Sequence, residues 1–147
     1  MDIDYNLRLS FACALEAKEL GDGPYGAIIL NEQEEMIARA GNTTNSENSV
    51  TYHAEINAIQ QAEYNRGKGN LKGCTIFCSA EPCPMCASAI IWSGIDTVIY
   101  AVSIDSIKRR NINHIDIGCR DILQKSDLLI NVKGPHLEEE GMEVFRE

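Results

Sequence analysis

The pattern of apolar and polar positions predicts a chain that opens with a helix followed by two strands. In residues 4–18 apolar side chains recur at steps of three and four, which is the period of an amphipathic helix, and Gly21 ends it. Two mostly apolar runs follow, at residues 25–30 and 36–40, with a polar turn between them. This succession predicts a β-hairpin.

A turn-rich loop over residues 41–49 separates this opening from an alternation of helices and strands. Four elements are predicted after the loop, in the order helix, strand, helix and strand: residues 52–64, 74–78, 84–93 and 97–102. Thr51 is a suitable N-cap for the first of these helices, and Pro84 suits the start of the second because that position needs no amide hydrogen. A strand, a helix and a strand in this order imply a right-handed parallel crossover.

The last third of the chain has a weaker pattern. It predicts a loop or helix over residues 106–117, a short helix over 120–124, a strand over 128–132 and an acidic tail. We find no repeat, low-complexity segment or interdomain linker. The length of 147 residues suits one compact domain, which we place over residues 1–147.

The charge of the chain narrows the choice of partner. With 13 Lys and Arg against 22 Asp and Glu, the formal net charge is −9, which opposes binding to a phosphate backbone. Lys108, Arg109 and Arg110 form the one tight basic cluster, and an RNA-binding enzyme would carry a wider basic stripe. A small-molecule partner therefore fits better than a nucleic acid.

The N-terminus and the cysteines bear on location. The first residues lack the features of a secretion signal, and no segment approaches the roughly 20 apolar residues of a membrane span, so we expect a soluble, cytoplasmic protein with no membrane partner. Six cysteines in such a chain suggest reduced thiols or metal ligands more than a disulfide framework. Four are predicted to be small buried residues: Cys13, Cys74, Cys78 and Cys119.

The other two cysteines have the spacing of metal ligands. Cys83 and Cys86 lie three residues apart in a predicted first helical turn, so both sulfurs face one side and can bind one ion. His53, predicted in the first turn of the preceding helix, is the best candidate for a third ligand. Three protein ligands leave a fourth tetrahedral position for water, and Glu55 is placed to take the proton of that water.

A structural zinc site is the alternative reading of the same cysteines. It requires a fourth protein ligand, for which the candidates are Cys78, His114, Cys119 and His136, none of them at a convincing spacing. The domain would then be a zinc-stabilised binding module rather than an enzyme. That reading leaves Glu55 without a role.

His-x-Glu followed by Pro-Cys-x-x-Cys is the signature of the zinc-dependent deaminases. With the motifs at residues 23–27, 51–55, 81–86 and 89–92, the chain resembles the cytidine deaminase-like superfamily, nearest in motif to the guanine deaminase group and related to tRNA adenosine deaminases and fungal-type cytosine deaminases. The resemblance implies a three-layer α/β/α cytidine deaminase-like fold with a central mixed five-stranded sheet, one catalytic Zn²⁺ per chain and a homodimer. It implies Glu55 as the catalytic residue.

The resemblance also implies substrate contacts. Asn42 is expected to hydrogen-bond a purine ring, and the backbone amide of Ala54 to contact the carbonyl or developing oxyanion. Tyr25 and Trp92 would line the ring pocket. The ordinary structural alternatives are a turn residue for Asn42, strand-end packing for Tyr25 and a core position for Trp92.

Two features depart from the guanine deaminase group. That group usually has an acidic residue after the fourth strand, where this chain has His114 with Asp116 close by, and we include both as candidate substrate contacts. Its C-terminal segment is usually rich in aromatic residues, whereas this tail is acidic with Phe145 alone. We expect hydrolytic deamination of a free purine base or nucleoside with release of ammonia. A tRNA adenosine, cytosine or a triazine stays open as substrate.

Overall fold

The computed structural model describes all residues, 1–147, and contains five strands and six α-helices. The strands are β1 (Gly26–Leu30), β2 (Met36–Gly41), β3 (Thr75–Ala80), β4 (Thr97–Val102) and β5 (Asn131–Lys133). The helices are α1 (Ile3–Glu19), α2 (Ala54–Arg66), α3 (Pro84–Ser93), α4 (Ile104–Arg109), α5 (Cys119–Leu123) and α6 (Glu138–Met142), with a 3₁₀ turn at Glu143–Phe145. No helix combines the length and apolar composition needed to traverse a bilayer.

The strands form one mixed sheet in the order β2-β1-β3-β4-β5. β1 runs antiparallel to both β2 and β3, which confirms the predicted hairpin. β3, β4 and β5 run parallel, as the predicted crossover through α3 requires. Every residue of β1 and β3 is buried, because helices cover both faces of the sheet.

Helices pack on both faces of the sheet and give three layers. One apolar cluster joins α2, α3 and α5 to side chains such as Ile76 and Cys78 of β3. A second cluster joins α1, α4 and Val144 to the opposite face, where Phe77 points. Successive residues of β3 therefore serve two cores, and the molecule has the expected α/β/α fold with a five-stranded mixed sheet.

Gly26 allows α1 to lie directly against the start of β1. A Cβ atom at this position would lie 2.1 Å from the carbonyl oxygen of Ser10 and 2.6 Å from the backbone nitrogen of Ala14. Only a residue without a side chain permits this approach. The contact fixes the chain at Tyr25, which borders the candidate site.

The start of α2 differs from the prediction. The helix begins at Ala54, with His53 as the extended N-cap residue, whereas the sequence pattern placed the cap at Thr51 and His53 in the first turn. The reason is local: the N–H of His53 donates to the carbonyl of Thr51 at 2.8 Å, and this tight turn delays the helix. The His53 ring consequently projects from the helix end.

The C-terminal third also differs in its boundaries. The helix predicted within residues 106–117 begins earlier, as α4, and residues 110–118 contain no helix or strand. The predicted strand at 128–132 is reduced to β5, since Leu129 is 87% exposed and cannot join the sheet. The acidic tail forms α6, which contacts α1 through an exposed ion pair between Arg8 and Glu140 at 2.8 Å.

Candidate metal centre and active site

His53, Cys83 and Cys86 converge at the N-terminal ends of two neighbouring helices. His53 is the N-cap of α2, Cys83 is the N-cap of α3, and Cys86 lies in the first turn of α3. The His53 Nδ1 atom is 3.6 Å from the Sγ of Cys83 and 3.5 Å from the Sγ of Cys86. Zinc bond lengths to sulfur and nitrogen place such atoms about 3.6 Å apart on the edge of a tetrahedron. The spacing therefore fits a zinc ion.

The chemistry of these three donors also fits a dication. A hydrogen bond from the Cys86 thiol, with a second from the His53 ring, lowers the pKa of Cys83 to about 4. The Cys83 contact and burial raise the pKa of Cys86, and the Cys83 contact raises that of His53. Three ligand atoms thus compete for protons at one point, and a metal ion relieves that competition by replacing protons on its ligands.

The cluster has three ligand residues. The ligand atoms of His53, Cys83 and Cys86 all lie within 4.8 Å of one another, and no fourth His, Cys, Asp or Glu joins them. The four candidates for a structural site lie outside the cluster: Cys78, His114, Cys119 and His136. Three protein ligands with an open position are the arrangement of catalytic zinc sites, whereas structural sites are closed by four.

Glu55 is buried beside the cluster. It is the second residue of α2, and the residue is 7% exposed. Burial, and secondarily the charge of the Cys83 thiolate, raise the pKa of Glu55 to about 7. A carboxyl group with such a pKa can both accept and release a proton near neutrality, which is the property of a general acid–base.

A cavity of about 510 Å³ opens over these residues. His53, Glu55 and Cys83 line it, together with Tyr25 and Asn42. An apolar wall completes it, formed by Ile104, Ile107, Ile112 and Ile115. Volumes of this size accommodate small organic ligands.

Asn42 presents donors to the cavity. Its Oδ1 accepts hydrogen bonds from the backbone N–H and the hydroxyl of Thr44, each at 2.9 Å. A backbone N–H can only donate, so the amide orientation is fixed with Oδ1 towards Thr44. The Nδ2 group remains as the donor for an acceptor atom inside the cavity.

Tyr25 and His114 also line the cavity. Burial raises the pKa of Tyr25 to about 12, and its ring packs edge-on against Phe145, with the centroids 5.5 Å apart. The Nδ1 of His114 lies 2.9 Å from the carbonyl oxygen of Ile112, to which it donates because a carbonyl only accepts. In the neutral form of the ring, Nε2 is then an acceptor.

The remaining sequence-predicted contacts are distributed differently. Ala54 is fully buried at the first position of α2, next to His53, where its backbone amide belongs to the unpaired helix terminus. Asp116 is exposed, pairs with Lys108 at 2.7 Å, and does not line the cavity.

Trp92 lies outside the cavity and is 81% exposed. At about 100° per residue, a position six residues after Cys86 points about 120° away from it around the helix. Within one chain, the expectation that Trp92 lines the ring pocket is therefore not met.

The cavity also contains residues that the sequence did not reveal. Glu81 and the isoleucine wall line it, and none was a candidate from the pattern. Their position in the sequence could have identified them, since Glu81 follows β3 and the isoleucine wall follows β4. Ligands of α/β sheets bind beyond the carboxyl ends of parallel strands.

Comparison with known proteins places these features in a family. Residues 2–102 match the family model of the cytidine and deoxycytidylate deaminase zinc-binding region. The chain is 34% identical over 146 residues to a probable cytosine deaminase of Schizosaccharomyces pombe, covering 96% of this chain and 88% of that protein. It is 38% identical over 96 residues to the guanine deaminase of Bacillus subtilis, covering 65% of this chain and 61% of that protein.

A solved structure extends the comparison. A chain from structural studies of A-to-I editing by tRNA:A34 deaminases superimposes with a TM-score of 0.81 at 27% identity, covering 96% of this chain and 99% of that one. These relatives represent the three deaminase groups that the sequence resembles. The chain belongs to the family defined by the cytidine and deoxycytidylate deaminase zinc-binding region and is a zinc-dependent hydrolytic deaminase.

Proposed function

We propose that this enzyme deaminates a free purine base or nucleoside, with guanine as the first substrate to test. The observation that carries the proposal is the cavity of about 510 Å³, which joins the three-ligand centre and Glu55 to a ring-sized space. Its apolar isoleucine wall suits the face of a flat ring, and Asn42 offers a donor at the edge.

The proposed chemistry divides the work among four residues. His53, Cys83 and Cys86 hold zinc, which when bound supplies the Lewis acidity that activates water for attack. Glu55 accepts the proton of the attacking water on its carboxylate, transfers it to the ring nitrogen, and assists the departure of the amino group. Water and the amino-substituted ring are thereby converted into an oxo-substituted ring and ammonia.

The proposed substrate contacts follow from donor and acceptor geometry. Asn42 Nδ2 donates to a ring nitrogen or carbonyl, and His114 Nε2 accepts from an N–H group of the substrate. The amide of Ala54 donates to the oxygen that develops negative charge, and Tyr25 flanks the ring. We assign no substrate contact to Trp92 or Asp116 within one chain.

The surface charge supports a small substrate over RNA. Two residues of the basic cluster are already engaged: Lys108 pairs with Asp116 at 2.7 Å, and Arg109 donates to the Ser106 hydroxyl at 3.0 Å. With a net charge of −9, little positive surface remains for a phosphate backbone.

Cytosine is the second candidate substrate. The specific observation in its favour is the match to a probable cytosine deaminase over 96% of this chain and 88% of that protein. A pyrimidine ring would occupy less of the cavity than a purine ring system.

The test is an ammonia-release screen of the zinc-loaded enzyme. Its substrates are guanine, guanosine, adenine, adenosine, cytosine, cytidine and amino-triazines, with an adenosine-containing tRNA anticodon stem as a further sample. We expect the highest turnover per active site with guanine. Preferential release from cytosine would replace the purine by the pyrimidine, and release from the tRNA stem alone would contradict the proposal.

We further propose that residues 1–147 form one domain and that this domain forms a homodimer. The cytoplasmic location stays a prediction. The exposed side of α3 presents Trp92 at 81% exposure, and tryptophan is enriched in protein–protein interfaces. Light scattering is expected to give twice the chain mass for the wild type and a monomer for Trp92→Arg. A monomeric wild type would contradict the dimer.

A further inference from the structure

One carboxylate holds both ends of a segment that forms a wall of the cavity. Glu81 directly follows β3, and its Oε1 accepts a hydrogen bond from the N–H of Ile104 at 3.0 Å. Its Oε2 accepts from the N–H of Cys119 at 2.7 Å. These two amides belong to the first residues of α4 and α5. Residues 104–119, here called the wall segment, are therefore hydrogen-bonded to the same side chain at both ends.

The course of the wall segment depends on how its ends are held. Ile104, Ile107 and Cys119 are buried, but Ile115 and Ile117 are 54% and 41% exposed, and no helix or strand occupies residues 110–118. The ion pair between Lys108 and Asp116 lies at the surface, where such pairs contribute little. Apart from the packing of Ile112 against the core on the α1 side of the sheet, the middle of the segment is fixed through its ends.

The middle of the wall segment is also the part that meets a ligand. Ile112, His114 and Ile115 line the cavity, and Glu81 lines it as well, two residues before the metal ligand Cys83. The short stretch from Glu81 to Cys83 thus carries both the wall anchor and one side of the metal centre. We propose that Glu81 is a positioning residue that sets the wall segment at the correct distance from the metal centre.

Two variants separate this role from general stabilisation. In Glu81→Gln the amide oxygen accepts one N–H, and the amide nitrogen cannot accept the other, so one backbone amide loses its partner. Glu138→Ala is the matched control, because Glu138 accepts the N–H of Ser103 at 2.8 Å beside α4 and lies outside the cavity. Each change leaves one backbone amide in this region without its side-chain acceptor.

Amide hydrogen–deuterium exchange is the readout that needs no substrate. For Glu81→Gln we expect exchange over residues 110–118 to be about tenfold faster, since a charge-assisted hydrogen bond is lost. We expect α2 and α3 to stay protected and zinc to remain at one per chain. For Glu138→Ala the same residues are expected to change less than about twofold.

Steady-state kinetics with guanine provide the second readout, which rests on the proposed function. We expect the KM of Glu81→Gln to rise about tenfold with kcat within about twofold of wild type, because binding against the wall is weakened and Glu55 is untouched. Unchanged exchange, equal exchange in both variants, or loss of zinc from Glu81→Gln would overturn the inference. If the wild type does not act on guanine, the proposed function fails while the exchange data still decide the role of Glu81.

Discussion

At the scale of single residues, Glu55 separates metal binding from catalysis. It lies against the three ligands without joining them, and burial raises its pKa to about 7. We predict that Glu55→Ala keeps one zinc per chain and lowers kcat about a thousandfold, because the proton relay is lost and the ligand set is intact. Zinc analysis and ammonia release measure the two effects separately.

Two controls bracket this prediction. Glu63→Ala changes an acid on the same helix that bonds to Gly69 outside the cavity, and it should leave kcat within about twofold of wild type. Cys86→Ala removes a ligand and should lose both zinc and stability. Turnover that survives in Glu55→Ala would show that another group moves the proton.

A substitution at Asn42 tests whether the substrate presents a hydrogen-bond acceptor to this side chain. Asn42→Asp keeps Oδ1, and with it the two hydrogen bonds from Thr44, but replaces the donor facing the cavity by an acceptor. We predict that KM for the substrate rises about ten- to a hundredfold, as expected when two acceptors face each other. Steady-state kinetics measure the change.

Asn48→Asp is the control for charge, since it makes the same substitution at an exposed position of the same loop. An equal KM for Asn42→Asp and wild type would mean that the substrate does not contact this amide. An equal rise in both variants would assign the effect to loop charge.

At the scale of elements, the C-terminal segment supports the pocket from behind. Lys18 donates to the carbonyl oxygens of Val144, at 3.2 Å, and Arg146, which places Phe145 edge-on against Tyr25. We predict that Phe145→Ala raises KM about two- to tenfold with little change in kcat, since an aromatic pair of this kind contributes about 1 kcal/mol.

Arg146→Ala is the matched control for that segment. Its side chain is exposed and pairs only with Glu143, at 3.1 Å, so its KM should match wild type. A normal KM in Phe145→Ala would show that Tyr25 holds its position without this contact.

The elements that the sequence predicted well are those with short-range causes. The spacing of Cys83 and Cys86, the proline at the start of α3 and the Gly94 that ends it are local signals, and the structure has the helix with the predicted bounds. The hairpin and the parallel crossover were predicted from the order of the elements, and the strand pairing confirms both. Asn42 and Tyr25 came from the resemblance and do border the cavity.

The features that the sequence did not predict correctly depend on contacts between residues far apart in the chain. Helix α3 is apolar on nearly every side, so its pattern does not tell which face is inward, and Trp92 was placed on the wrong one. The wall segment follows an irregular path whose ends hydrogen-bond to Glu81, and α6 pairs with Arg8, far away in the sequence. Local periodicity contains no information about such partners.

At the scale of the whole molecule, charge and cavity size together support the proposed substrate class. The chain carries a net charge of −9, and the metal centre lies in a cavity of about 510 Å³ rather than along a basic groove. A neutral base entering such a cavity releases few counterions, so its turnover should be nearly independent of salt. Binding to RNA would weaken steeply with salt.

The most direct test measures ammonia release from guanine and from an adenosine-containing tRNA anticodon stem, side by side, at low and at high salt. We predict turnover of guanine that changes less than about twofold between the two conditions, and no release from the RNA. Release from the RNA alone, lost as salt rises, would contradict the proposal that this enzyme deaminates free bases or nucleosides.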